Sequence, residues 1–99
     1  MYYPTVIEFD ITQEDIDLAF RAISEGFDRA CSCPLSQALR RTGYQDVATG
    51  KVYFRLFTEE IVLYNLNDTG QLFVWRFDMD RPTVPTAGIV GIRQQKEAL

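Results

Sequence analysis

Ninety-nine residues, 46% of them apolar and 13% aromatic, make one hydrophobic core and one domain the expectation and argue for a globular rather than a disordered chain. A formal charge of −4 with no histidine removes the usual general base, the commonest metal ligand and every Ser-His or Cys-His nucleophile system. No apolar run approaches the ~20 residues that span a bilayer, and Met1-Tyr2-Tyr3-Pro4 opens without the basic and apolar stretches of a secretory signal, so a cytoplasmic setting is expected.

In chain order, Thr5–Asp10 reads as a strand in which Ile7 and Phe9 alternate with Glu8 and Asp10. A helix follows, capped by Thr12, with Glu14 and Asp15 at the positive end of its dipole. Ile16, Phe20, Ile23 and Phe27 recur at helical spacing, Leu18 and Ala19 widen the stripe, and Gly26 stops it. Asp17 and Arg21, four apart, are expected to pair on the exposed side. Residues 27–33 read as a connector. Pro34 then opens a second helix whose apolar face is Leu35, Ala38 and Leu39, with Arg40 and Arg41 at the negative end and Gly43 as exit.

The middle of the chain predicts a hairpin: Asp46–Ala48, a turn at Thr49-Gly50, and a strand over Lys51–Phe57. Val52, Phe54 and Leu56 share one face of that strand, and Tyr53, Arg55 and Phe57 the other, which a helix is expected to cover. Ile61–Tyr64 is a further strand after a tight connection at Thr58-Glu59-Glu60. Over 65–80 the strand propensity of Leu72–Phe77 competes with a capping-box-like Asp68…Gln71. The reading taken is a short helix grouping Leu72, Phe73, Arg76 and Phe77. Pro82 and Pro85 bracket a turn, Ala87–Arg93 is a last strand, and 94–99 is a frayed tail. The fold class is α+β: a single domain over 1–99, with a largely antiparallel sheet of four to five strands and two to three helices in the order β-α-α-β-β-β-α-β.

The charges are segregated. Residues 1–30 hold seven acids against Arg21 and Arg29, whereas 31–57 hold Arg40, Arg41, Lys51 and Arg55 against Asp46 alone. An overall acidic chain argues against generic binding to nucleic-acid phosphates. A base-stacking sheet built on Tyr53, Arg55 and Phe57 also lacks the glycine expected early in such a motif.

The one-residue spacing of Cys31 and Cys33 strains an intramolecular disulfide, so reduced thiols in a reducing cytoplasm are expected, with a bond between chains as the alternative. Beside a helix N-terminus a thiolate is favoured, which makes either thiol a candidate nucleophile. The competing role is that of a small buried residue where the connector enters the helix. Arg40 and Arg41 are candidate anion contacts, or complements to the helix end. Asp10, Glu14, Asp15 and Asp17 form an acidic run able to imitate phosphates. Asp78-Met79-Asp80 and Glu59-Glu60 read as structural.

The segment Cys33-Pro34-Leu35-Ser36-Gln37-Ala38-Leu39 resembles the Cys-Pro-Ile-Ala-Leu-Ala-Leu signature of small uncharacterised proteins of phage and bacterial genomes. Those proteins similarly open with a strand and a helix near Thr-Gln-Glu-Asp-Ile, here Thr12–Ile16. They close with a Phe-Asp segment, a proline and a short apolar strand, here Phe77-Asp78, Pro85 and Ile89-Val90. The resemblance implies a phage or prophage-bearing source and a helix over 69–78, and no activity. Ser36 and Gln37 replace apolar positions of the signature, which implies a less buried second helix.

The first functional expectation is a non-catalytic accessory factor that binds a protein partner, self-association as a homodimer included, through the edges of aromatic-rich strands. The second is a small-ligand or nucleotide binder using Cys31 or Cys33 with Arg40 and Arg41. The third is an acidic inhibitor of a nucleic-acid-binding defence enzyme, presenting Asp10, Glu14 and Asp17. No catalytic residue, metal ligand or cofactor is assigned.

Overall fold

The computed structural model describes residues 3–57 and 60–94. Strand β1 (Val6–Ile11) alternates strictly, burying Ile7, Phe9 and Ile11. Helix α1 (Gln13–Ser24) starts on a full capping box: the Asp15 N–H donates to Thr12 Oγ1 at 3.2 Å, and the Thr12 N–H donates to Asp15 Oδ2 at 2.9 Å. The connector expected over 27–33 contains a short helix α2 (Arg29–Ser32), capped by the Asp28 carboxylate, which accepts from the N–H groups of Ala30 and Cys31. The described residues therefore form four helices rather than two to three. Helix α3 (Pro34–Arg41) has Pro34 at its first position and leaves through Gly43, whose φ of 116° suits a residue without Cβ.

Strands β2 (Val47–Thr49), β3 (Tyr53–Phe57), β4 (Ile61–Leu66) and β5 (Thr86–Arg93) join β1 in one antiparallel sheet of order β1-β5-β4-β3-β2. Helix α4 (Asp68–Asp78) connects β4 to β5. The α+β class, the antiparallel sheet and the helix over 69–78 agree with expectation. The domain holds a single core, between one face of the sheet and the helices. Phe54 stacks on Tyr64 and meets the edge of Phe9, while Leu35, Ala38 and Leu39 of α3, and Phe73, Val74 and Phe77 of α4, close over the sheet.

Several local expectations are corrected. The hairpin turn is Gly50–Val52, so Val52 lies in the turn and is exposed instead of sharing the buried face of Phe54 and Leu56. Asp17 accepts from Gln13 Nε2 rather than pairing with Arg21. Phe20 is half exposed, though its ring packs on Phe77, and Phe27 lies past the end of α1 in solvent. The cap of α4 is Asn67, whose Oδ1 accepts from the Gly70 N–H at 3.0 Å; Gln71 Nε2 instead donates to Leu66 O. Leu72 points to solvent while Phe73 and Phe77 are buried.

Ser36 does not lift α3 away from the core. It is fully buried, its hydroxyl donating to Ala30 O at 2.8 Å and sharing a hydrogen bond with Thr49 Oγ1 at 2.9 Å. Gln94, placed in the frayed tail, is fastened: its N–H donates to Leu63 O and its side-chain amide to Asn65 Oδ1. The remainder of that tail, and Thr58-Glu59 of the tight connection, fall outside the described residues.

Candidate interaction surface

The residues singled out from the sequence are placed apart. Cys33 caps α3 at one end and Arg40 and Arg41 close it at the other, so the eight-residue helix separates them by roughly 10 Å at 1.5 Å per residue. Cys33 is buried, its Sγ 3.6 Å from Ser36 Oγ, and Cys31 is half-buried; both are free thiols. Arg40 Nε donates to Gln45 O at 3.2 Å, tying down the turn that follows its own helix. The binding constellation of thiol and guanidinium groups is therefore not assembled.

Arg41 lies across the start of α1. Its Nη2 donates to Asp15 Oδ2 at 3.1 Å and to Asp10 O at 2.8 Å, and its Nε donates to Asp15 Oδ1 at 3.3 Å. Hydrogen bonding to Asp15 holds the guanidinium above its ordinary pKa, against the opposing effect of partial desolvation and with further help from the Asp15, Asp10 and Glu14 charges. Asp15 is only 2% exposed. The acidic run is thus not one continuous face: Asp15 is internal, Asp10 Oδ1 accepts from the Gly88 N–H, and Asp17 accepts from Gln13. Asp78 and Asp80 both hold Arg29, each at 3.6 Å.

A different surface stands out. Because the helices lie on one side of the sheet, its other face is uncovered among the described residues. The strand alternation places Val6 and Glu8 of β1, Val90 and Ile92 of β5, Ile61, Leu63 and Asn65 of β4, and Tyr53, Arg55 and Phe57 of β3 on that outer face. Val6 is 46% exposed, Phe57 39%, Ile61 56% and Ile92 52%. A solvated antiparallel face is normally polar; this one is mainly apolar, with the carboxylates of Glu8 and Asp10 on β1 and the guanidinium of Arg55 on β3. The helix expected over Tyr53, Arg55 and Phe57 covers Phe54 and Leu56 instead. Contiguous apolar surface of this kind marks interaction sites.

The edges of the sheet are less suited to that role. The aromatic-rich β3 and β4 are internal strands, so they have no free edge to offer. The actual edges are β2, three residues long, and β1, which carries Glu8 and Asp10 and an irregularity in register between Phe9 and Ile11. Short, charged and bulged edges resist strand addition. The sequence signal for the outer face was available in β4, where Ile61-Val62-Leu63-Tyr64 is apolar at every position instead of at alternate ones.

Two further features are smaller. A cavity of about 280 Å³ lies between α2, α3, α4 and the β2–β3 turn, lined in part by Arg29, Cys33, Thr49, Lys51 and Phe77. On the solvent side of α4, Leu72, Trp75 and Met79 form an exposed row at helical spacing, with Arg81 over the Trp75 ring at 5.5 Å. Among the described residues there is no group of three Cys, Asp or Glu side chains placed to hold a metal ion, and no helix is long and apolar enough to cross a membrane. No protein-family model, curated protein or solved structure matches the chain.

Proposed function

We propose that this chain is a non-catalytic protein-interaction factor that works through the outer face of its sheet. The observation that carries the reading is the exposure of Val6, Phe57, Ile61 and Ile92 together on the helix-free side. Burying such residues stabilises a complex by roughly 25 cal/mol per Å² of apolar surface removed from water, before the costs of association. The lack of histidine supports a binding role over catalysis. A cytoplasmic accessory factor of phage or prophage type is the setting, supported by the Cys33–Leu39 resemblance and the absence of a disulfide framework.

The test is capture from a bacterial lysate that also contains untagged chain. Tagged wild type is compared with an Ile61→Lys/Ile92→Lys variant of matched circular-dichroism spectrum and melting. A protein retained by the first and lost by the second, untagged chain included, supports the reading. Identical retained sets contradict it.

The cavity beside Cys33 favours a second reading, a small-ligand or nucleotide binder. Its volume of about 280 Å³ lies near the lower end of ligand pockets, roughly 300–1,000 Å³. Arg29 and Lys51 at its rim replace Arg40 and Arg41 as the cationic contacts. A thermal-shift screen with nucleotides decides it: a shift abolished by Lys51→Ala supports the reading, and no shift removes it.

A further inference from the structure

We infer that the outer sheet face receives a second copy of this chain, placed so that Glu8 of each copy meets Arg55 of the other. The inference rests on the interaction reading above and names the partner. Glu8 and Arg55, of opposite sign, have no ionic partner among the described residues; the third charge on this side of the sheet, Asp10 farther along β1, accepts from the Gly88 N–H at 3.2 Å. Arg55 lies over the ring of Tyr53 at 5.5 Å, with Nη2 3.5 Å from the phenol oxygen. Glu8 stands opposite Val90 in the β1–β5 ladder.

They cannot satisfy each other within one chain. Arg55 is level with Leu63 of β4. Glu8 is level with Val90, which in turn accepts at its carbonyl from the Asn67 N–H at 2.9 Å. Glu8 and Arg55 are therefore three strands and four residues apart, a diagonal of roughly 19 Å at standard strand spacing and rise. Its midpoint falls on the paired residues Ile92 and Asn65.

That layout is self-complementary. A two-fold axis lying in the plane between two facing copies, above the Ile92–Asn65 pair and perpendicular to the Glu8–Arg55 diagonal, exchanges the two charges. Each Glu8 then lies over Arg55 of the other copy, as an isologous contact requires. The same rotation sets Val6 over Leu63 and Val90 over Tyr53 of the other copy, apolar on apolar, and brings Ile92 close to its own counterpart. The strands of the two sheets cross at about 90°, one of the two preferred arrangements of packed sheets. Five strands of about six residues present on the order of 24 × 20 Å, toward the small end of specific interfaces. Association is accordingly expected to be weak and concentration-dependent.

Charge reversal tests this on the purified full chain by light scattering at low salt over a wide concentration series. Wild type is expected to pass from monomer to dimer. Glu8→Arg and Arg55→Glu, each alone, place like charges at both symmetric contacts and should weaken dimerisation about tenfold or more. Mixing the two variants restores opposite signs at both contacts, so the mixture should dimerise where neither variant does, a result that misfolding of either cannot produce. A wild type that stays monomeric throughout, or a dimer indifferent to both reversals, overturns the inference. If the Ile61→Lys/Ile92→Lys variant nevertheless loses a bacterial protein on capture, the interaction reading stands and only the second copy as partner falls.

Discussion

Arg41, the last residue of α3, reaches across to α1 and takes both carboxylate oxygens of Asp15, at 3.3 and 3.1 Å. Asp15 is at once a capping-box residue and the acid of an ion pair, and its carboxylate is shut away from water. Removing the guanidinium leaves that carboxylate with the Thr12 N–H as its remaining protein donor. Arg41→Ala is therefore expected to cost about 1–3 kcal/mol; the figure is below that of a fully buried pair because the Arg41 side chain is 43% exposed. Arg40→Ala, which loses a single bond to a carbonyl at the surface, should stay within about 0.5 kcal/mol. Urea unfolding of the two variants checks the contrast.

Gly91 occupies the inner face of β5, where a Cβ would strike the Phe54 ring, with Cε1 in contact and Cζ at 2.6 Å. That ring is itself held between Tyr64 and Phe9. Gly91→Ala should destabilise by about 1–3 kcal/mol through overpacking. Phe54→Leu, by clearing the ring, should make the same glycine substitution less costly, and a double-mutant cycle measures that coupling.

The two thiols differ in access, Cys31 being half-buried and Cys33 buried beside Ser36. Alkylation of the native chain followed by peptide mapping should label Cys31 first and Cys33 only as the chain opens. Ser36→Ala removes the shared partner of Ala30 O and Thr49 Oγ1 and should cost about 1–2 kcal/mol. The same variant should raise the rate of Cys33 labelling, because opening of α3 becomes easier.

Burial pushes the phenol of Tyr44 above its ordinary pKa, and the nearby Tyr3 adds to the effect. A folded value above the unfolded one means that the neutral phenol is favoured in the native state. The contribution is complete below the unfolded value of about 10 and is lost as pH rises through the folded value. Stability should accordingly fall above about pH 10, and less steeply in Tyr44→Phe. Denaturant midpoints measured on either side of that pH for both chains test the difference.

The elements with local punctuation were legible in the sequence. Thr12 as cap with Glu14 and Asp15 after it marks the start of α1, Pro34 and Gly43 bound α3, and the alternation of Ile7 and Phe9 gives β1 its buried face; the reciprocal Thr12–Asp15 bonds and the extension to Ile11 came from the structure. The segment 68–78 was less legible because Leu72–Phe77 suits either state; Asn67 and the fit of Gly70 against Leu66 and Ile89 decide for helix. Helix α2 was missed because four residues show no periodicity, although Asp28 is its cap.

Beyond the unbroken apolar run Ile61-Val62-Leu63-Tyr64 of β4, the candidate surface was not legible, for a physical reason. Alternation along β3 separates Phe54 and Leu56 from Tyr53, Arg55 and Phe57, but both sets are large and largely apolar, so either could have faced the helices. Only the strand order, which joins β1 to β5 and β5 to β4, brings Val6, Ile92, Leu63 and Tyr53 onto one face. Arg41 and Asp15, candidate binding residues in the sequence, have a structural duty in joining α1 to α3; Asp78 and Asp80, structural in the sequence reading, are gathered by Arg29, which rests on the Phe77 ring.

The most direct measurement is a dilution series followed by methyl NMR of the purified chain, with Trp75→Ala as a control variant on the opposite side of the molecule. The account predicts that the methyl signals of Val6, Leu63, Val90 and Ile92 move together with concentration. Those of Leu35, Leu39 and Leu72 should stay fixed, and Trp75→Ala should change nothing. Outer-face methyls that do not respond to concentration, with shifts confined to Leu72 and its neighbours on α4, would contradict it.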